Sequence, residues 1–441
     1  MQFKKLIVQS IFWRGLYFLS VLLLNVLVAR FFKATGSGWI YYVCSIYAFV
    51  IVIVSLSLDS GMGYYASKNE VSVNKLLSLS LLWTFIVGLI VTLGTKLYIR
   101  SGPELFIPRT LLLVSSLCYV CGNLVTNYCG IIFYSHKNFH TPNIIGIICN
   151  ILLIAILAVT SLSIVAALNT STFLYIYFFT FLFQGMLMIV AVIYSYPVKK
   201  KPVIISRTEL KKVLHYSMVA FAGNIIFFLV YRVDYFFVKY YCSATDLGNY
   251  IQVSKLGQMV ILLPSIMASA VFPMVAGGQK EEVNRGLKLL SRISLLVIGS
   301  FCLIVVLTGS WLFSFIFGES FGRMYLPFVL LIPGVLSLSS LYPLAAYYSG
   351  KNKLMVNIVG SLIALLFIVV TDFIFIPKFG IGAAALISSI GYILFHTYVL
   401  LVFKNEYNTS VAGFFMIKKS DFIWLKNFFA KGIGNDLLKE G

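Results

Sequence analysis

Arg14, Arg232 and Lys255 are cations embedded in long apolar runs, and Asp234 and Asp372 are carboxylates in the same setting. An ionised side chain at bilayer depth costs roughly 2.5–3.5 kcal/mol on insertion, so each one needs a partner or a task. Three cations in the first, seventh and eighth apolar runs, where a two-bundle transporter has its central cleft, suit a phosphate or an acidic sugar, which a guanidinium holds through two parallel hydrogen bonds. Amides add hydrogen bonds for sugar hydroxyls: Asn25, Asn127 and Asn224, with Asn123, Asn150, Gln252 and Gln258 as further candidates. The expected substrate-binding set is therefore Arg14, Arg232, Lys255, Asn25, Asp234, Asn127 and Asn224. Any single member has a plainer explanation. Long basic stems snorkel to a headgroup from about 10 Å, Asp234 can pair with Lys239 or Lys255, and Asp372 lies near Pro377 and water. Together the charges point to more than any one of them does.

Histidine adds little. His136 and His140 stand four apart with no third ligand, and His396 in a late span suits a helix–helix hydrogen bond better than a proton relay. No catalytic residue, metal or cofactor is expected. Seven cysteines, including the C-x-x-C at Cys118 and Cys121, read as small apolar packing residues.

The elements that position these groups follow from composition. The 441 residues are 60% hydrophobic and 11% charged, a balance whose apolar surface only lipid can cover. Segments of about 20 apolar residues, long enough to span a bilayer, recur at 7–29, 39–58, 76–98, 110–134, 142–166, 172–194, 213–238, 249–275, 291–316, 325–349, 354–376 and 382–403. The basic N-terminus resembles that of a signal peptide, but the run behind it is too long and lacks a cleavage site. With both termini inside, most of the 34 lysines and arginines fall in cytoplasmic loops, as orientation requires. The same placement explains the net charge of +20 without nucleic acid, since basic loops beside spans meet anionic headgroups.

A motif occurs twice. Tyr134–Gly146 reads Y-S-H-K-N-F-H-T-P-N-I-I-G and Tyr348–Gly360 reads Y-S-G-K-N-K-L-M-V-N-I-V-G. A weaker match pairs Gly38-Trp39-Ile40 with Gly248-Asn249-Tyr250. Internal repeats of this size mark transporters built from two related bundles. The expected organisation is a six-helix lobe with its linker at 1–206, a second six-helix lobe at 207–403, and a cytoplasmic amphipathic tail at 404–441. In that tail, Phe422, Leu425, Phe428 and Phe429 share a face. Prolines 264, 273, 327, 333 and 343 suggest broken, mobile spans. Outer loops are short, leaving no domain for a glycosyl-transfer site.

Several segments resemble a known family. V-D-Y-F-F-V-K-Y-Y at 233–241, L-G-N-Y at 247–250, F-P-M-V-A at 272–276, Tyr348–Asn352 and the run Ile376–Ala385 are similar to polysaccharide-transporter flippases. These are the O-antigen-type, Wzx-like members of the multidrug/oligosaccharidyl-lipid/polysaccharide (MOP) superfamily, and the resemblance runs over about residues 1–403. It implies an all-α polytopic membrane protein of about twelve helices in two MATE-like lobes arranged as a V. It also implies a cationic cavity, onto which Arg14, Arg232 and Lys255 map by span. The implied activity moves an undecaprenyl-diphosphate-linked oligosaccharide across a bacterial inner membrane for O-antigen, capsule or exopolysaccharide synthesis. Membrane lipids, a glycan polymerase and chain-length machinery are the implied partners. The alternatives are a multidrug cation antiporter of the same superfamily and a membrane-embedded glycan polymerase or ligase. Related lipid II flippases carry two more spans than are expected here.

Overall fold

A backbone surrounded by hydrocarbon must pair its own N–H and C=O groups, and over a single apolar run only the α-helix does so. The computed structural model describes residues 2–68, 70–101, 108–161, 170–197, 205–269, 280–351, 353–408, 410–416, 418, 419, 421 and 422. Among these the regular elements are all helical. They are α1 (Gln2–Ser55), α2 (Leu58–Ser67), α3 (Val73–Arg100), α4 (Arg109–Ser135), α5 (His140–Ser161), α6 (Thr170–Ser195), α7 (Arg207–Tyr241), α8 (Ala244–Ser269), α9 (Lys280–Phe317), α10 (Tyr325–Gly350) and α11 (Leu354–Tyr407), with short 3-10 turns at Glu319–Met324 and Val411–Phe414. Nine candidate spans are present among the described residues.

Helices α1 and α11 have 54 residues each, roughly 80 Å at 1.5 Å per residue against a hydrocarbon core of about 30 Å. Each breaks once. In α11 the break is Gly380 (φ 62, ψ −148), beside Pro377. Across it, a methyl on Gly360 would sit 2.5 Å from the Phe395 ring and one on Gly391 would sit 2.7 Å from Ile368. The two arms therefore fold back antiparallel. The break in α1 is at Lys33 (φ 57, ψ −177).

Where helices begin, side chains take over the unpaired backbone donors. Ser206 and Glu209 form a reciprocal cap at the start of α7, with Ser206 N–H donating to Glu209 Oε2 at 3.0 Å and Glu209 N–H donating to Ser206 Oγ at 3.3 Å. Ser243 caps α8 by accepting from the Asp246 N–H at 3.1 Å.

Two expectations need correcting. The second expected span is not one helix to residue 58: α1 ends at Ser55, Leu56 (φ 48) and Ser57 (φ 51) turn left-handed, and a separate helix, α2, runs through Ser67. Pro333 and Pro343 do not interrupt their span, because α10 runs through both. Next to Pro333, the Gly334 N–H donates to Ser389 Oγ of α11 at 2.6 Å, so a neighbouring helix supports the backbone there.

The chain forms two compact units. The N-terminal unit holds Gln2–Phe31 and Val43–Ile225; the C-terminal unit holds Phe32–Tyr42 with the described residues from Ile226 onward. Phe32–Tyr42 belongs with the C-terminal unit because it packs on the start of α8. Thr35 and Thr245 hydroxyls lie 3.1 Å apart, and a methyl on Gly38 would come within 2.5 Å of Gly248 Cα. Residues matched by the weaker sequence repeat thus touch their own counterparts.

The stronger repeat is a helix–turn–helix. Ser135 and Ser349 each donate to a carbonyl one turn back, at 2.9 Å in both copies. Asn143 donates to Phe139 O at 2.7 Å, and Asn357 to Ala345 O at 2.9 Å. Each motif glycine lies beneath an aromatic ring, Gly146 under Tyr17 and Gly360 under Phe395.

The tail is docked over its described part. Phe414 is buried against Phe403, and Arg292 of α9 donates from Nε to Asp421 Oδ2 at 2.7 Å, from Nη2 to Asp421 Oδ1 at 2.9 Å and from Nη1 to the Gly413 carbonyl at 2.9 Å. Phe422 is exposed; Leu425, Phe428 and Phe429 lie outside the described residues. Burial opposes the charge on Asp421, but the Arg292 hydrogen bonds and the Lys418 N–H outweigh it and hold the carboxyl below its usual range.

Two outcomes are expected. Gly248→Val drives a side chain into the Ala34 carbonyl and should cost at least about 2 kcal/mol, read as lost folded yield in detergent. Asp421→Ala strands a buried guanidinium and should cost about 3–5 kcal/mol at neutral pH. Because the folded carboxyl titrates low, that stabilisation is present above the ordinary carboxylate range and lost as pH falls through the folded value. Melting curves of the two proteins should converge as pH falls below the ordinary carboxylate range; a constant gap would contradict the ion pair's role.

Candidate functional site

The cations are seated on aromatic faces. In the N-terminal unit, the Arg14 guanidinium carbon lies 4.9 Å from the Tyr134 ring centre and 5.6 Å from that of Phe139, both in the first motif copy. Trp13 meets His140 edge-on at 4.4 Å in the same place. In the C-terminal unit, Arg232 lies 5.3 Å from the Phe228 ring and 6.0 Å from Tyr235. Lys255 Nζ stands 3.0 Å from the centre of the Tyr41 ring. Tyr235 joins these groups, since Gln258 Nε2 donates to its hydroxyl at 3.4 Å and to Ser254 Oγ at 3.2 Å. A π face stabilises a cation without neutralising it.

The expected carboxylate has a different setting. Asp234 is 1% exposed and pairs with neither Lys239 nor Lys255 through its described hydrogen bonds. Its Oδ1 accepts from the Tyr235 N–H at 2.9 Å, and Oδ2 accepts from Ser388 Oγ at 2.9 Å and from the Tyr250 hydroxyl. Asp372, 0% exposed, interacts electrostatically with Asp234. Neither Asp372 oxygen has a hydrogen-bond partner among the described residues. Two sealed carboxylates cannot both carry a bare charge. A proton or a small cation must accompany them.

Of the amides, Asn25 is buried and Asn127 exposed, while Asn224 Nδ2 donates to Ser57 Oγ at 2.9 Å. The structure therefore gathers Arg232, Asp234 and Lys255 on α7 and α8. Arg14 lies at the motif turn and Asn224 beside the break in the second span. His396 is held by one nitrogen, with Nδ1 3.0 Å from Ser337 Oγ and Nε2 unpartnered among the described residues. Sequence reasoning missed Tyr41, Tyr235, Tyr250 and Ser388, whose roles come from helices far apart in sequence. Asp372 was visible as a charge in a span but not as the neighbour of Asp234.

Residues 146–326 match a family model described as a polysaccharide biosynthesis protein. No curated protein matches the sequence. Among solved structures, the chain is similar to the lipid II flippase MurJ in an inward closed conformation, at 15% identity and TM-score 0.69, covering 98% of this chain and 93% of that one. It is also similar to an inward-facing multidrug resistance MATE transporter of the MOP superfamily, at 13% identity and TM-score 0.67, covering 88% and 94%. A MOP superfamily transporter from Pyrococcus furiosus gives 14% identity and TM-score 0.62, covering 91% and 95%. The fold is the one these solved structures share. The long apolar helices make the chain a multi-pass membrane protein.

The buried pair yields a test of its own. Asp372→Asn removes a charge with no hydrogen bond to lose, so its melting temperature in detergent should stay level or rise. Asp234→Ala strands the Tyr250 and Ser388 hydroxyls and should cost about 1–3 kcal/mol. Equal destabilisation by both changes would argue against the asymmetry drawn here.

Proposed function

We propose that this chain is a flippase for lipid-linked glycan precursors, carrying an undecaprenyl-diphosphate-linked oligosaccharide from the cytoplasmic to the outer leaflet of a bacterial inner membrane. The observation that carries the reading lies inside the matched segment 146–326. Arg232 and Lys255, both within it, are cations on the faces of Phe228 and Tyr235 and of Tyr41, which lies outside the segment. A diphosphate is the group such cations recognise. The surrounding tyrosines offer apolar faces and hydroxyls for sugar rings. The prenyl tail stays in lipid, and the glycan feeds O-antigen, capsule or exopolysaccharide assembly by a separate polymerase. Both termini lie in the cytoplasm.

Transport against a leaflet gradient needs a driving ion. In this reading Asp234 and Asp372 are the coupling site, exchanging a proton or small cation as the protein alternates between its inward and outward states. The MATE likeness also admits a multidrug cation antiporter, but a cationic drug would be repelled by Arg232 and Lys255.

Deleting the gene should trap the lipid-linked precursor on the inner leaflet and abolish the surface polysaccharide. Complementation with Arg232→Ala should fail although the variant accumulates in the membrane. Arg14→Ala should fail likewise, and Asp372→Asn should fold but not transport. Complete repeat units reaching the outer leaflet unpolymerised would identify a polymerase instead, and altered drug tolerance with normal glycans would identify an antiporter.

A further inference from the structure

The tail turns back along the helix it follows. On α11 an exposed stripe at helical spacing, Ile390, Ile393, Thr397 and Leu401, ends in exposed Lys404. A lysine closing an apolar stripe marks the level where a helix leaves hydrocarbon for the headgroups. Beyond the end of α11, Phe414 packs on Phe403 with ring centres 5.4 Å apart, and Phe415 meets His396 at 5.8 Å. His396 precedes Lys404 by eight residues, about 12 Å further in at 1.5 Å per residue. The chain therefore re-enters the membrane boundary after α11.

This segment is fastened on one side and open on the other. Arg292 grips Asp421 and the Gly413 carbonyl, and Lys288 Nζ stands 5.9 Å from the Phe414 ring centre. The Lys418 N–H donates to Asp421 Oδ2 at 2.8 Å, tying that lysine to the same clasp. On the open side Phe415 is 46%, Met416 66% and Phe422 56% exposed, with Lys418 and Lys419 exposed between them. Residues 404–422 contain two acids, and both are engaged: Glu406 by Lys351 and Lys353, Asp421 by Arg292. Among the described residues no ion pair reaches Lys404, Lys418 or Lys419. Apolar side chains interleaved with lysines suit a bilayer interface, the first entering about 5–10 Å and the second meeting anionic phosphates.

We propose that the docked tail, Val411–Met416 with Lys418, Lys419 and Phe422, is a re-entrant anchor that binds anionic phospholipid headgroups of the cytoplasmic leaflet. Phe415 and Met416 insert at the acyl boundary, and Lys404, Lys418 and Lys419 contact phosphates. The choice of leaflet rests on the orientation proposed above; the anchor does not depend on what the protein carries. Because the segment holds α9 through Arg292 and α11 through Phe403, bound lipid fixes the ends of both helices at one depth.

The test replaces Met416 with the photo-crosslinker p-benzoylphenylalanine in the full-length protein. The protein is held in phosphatidylcholine nanodiscs containing a minor fraction of phosphatidylglycerol, and adducts are identified by mass spectrometry. Lipid adducts should dominate, with phosphatidylglycerol enriched at least about threefold over its share of the disc. That enrichment should fall to the bulk share in Lys418→Gln/Lys419→Gln and in high salt, while lipid adducts persist. Absence of lipid adducts in a monodisperse protein, crosslinks to a second copy of the chain, or phosphatidylglycerol captured only at its bulk share overturns the proposal. So does an enrichment that survives the double lysine substitution. If that variant misfolds, enrichment indifferent to salt in the parent protein overturns it as well. None of these readouts involves transport, so failure of the flippase reading would leave them unchanged.

Discussion

A carbonyl or N–H left unpaired in hydrocarbon costs several kcal/mol, and that single cost organises this molecule. It makes every long element a helix, and it decides where a helix is allowed to stop. At the break in the second span, Trp83, Ser55 and Asn224 supply the hydrogen bonds that local geometry gives up. At Pro333, which has no N–H to give, the next residue's N–H is taken by Ser389 and the helix continues. The break in α11 sits where Pro377 and Gly380 make a fold-back possible, and the small residues Gly360 and Gly391 let the two arms close.

The same cost sorts the charges. Arg292 and Asp421 satisfy each other so fully that the pair serves as a fastening between α9 and the returning tail. Arg232, Lys255 and Arg14 lie instead against aromatic rings, whose quadrupole stabilises a cation. Asp234 is saturated by hydroxyls and a backbone N–H, whereas its neighbour Asp372 is not. Full satisfaction marks architecture.

The repeats show how one design serves two bundles. The shared Ser, Asn and Gly of the longer motif hold a tight helix–turn–helix and admit an aromatic ring above the glycine, so their recurrence reflects packing and not shared chemistry. The chemistry sits beside the motif. In the first copy the turn receives Arg14 on Tyr134 and Phe139; in the second, Lys351 lies over the Tyr347 and Tyr407 rings and shares Glu406 with Lys353.

Much was readable from the chain alone, because hydrocarbon imposes its demands on every residue in turn. Apolar run lengths defined the helical class, the spacing of Gly38 and Gly248 or of Tyr134 and Tyr348 revealed the repeats, and charges in apolar runs identified Arg14, Arg232, Lys255, Asp234 and Asp372 as costly. Two kinds of fact required the tertiary structure. One is which costs are met: the pairing of Asp234 with Ser388, and of Arg292 with Asp421, spans more than a hundred residues and leaves no local pattern. The other is where a helix yields, since Leu56 and Ser57 are ordinary residues in an apolar run and are bent by Trp83, Ser55 and Asn224. Burial cost is a property of a position along the chain, and a sequence shows it; satisfaction is a property of neighbours brought together by packing, and only the fold chooses those.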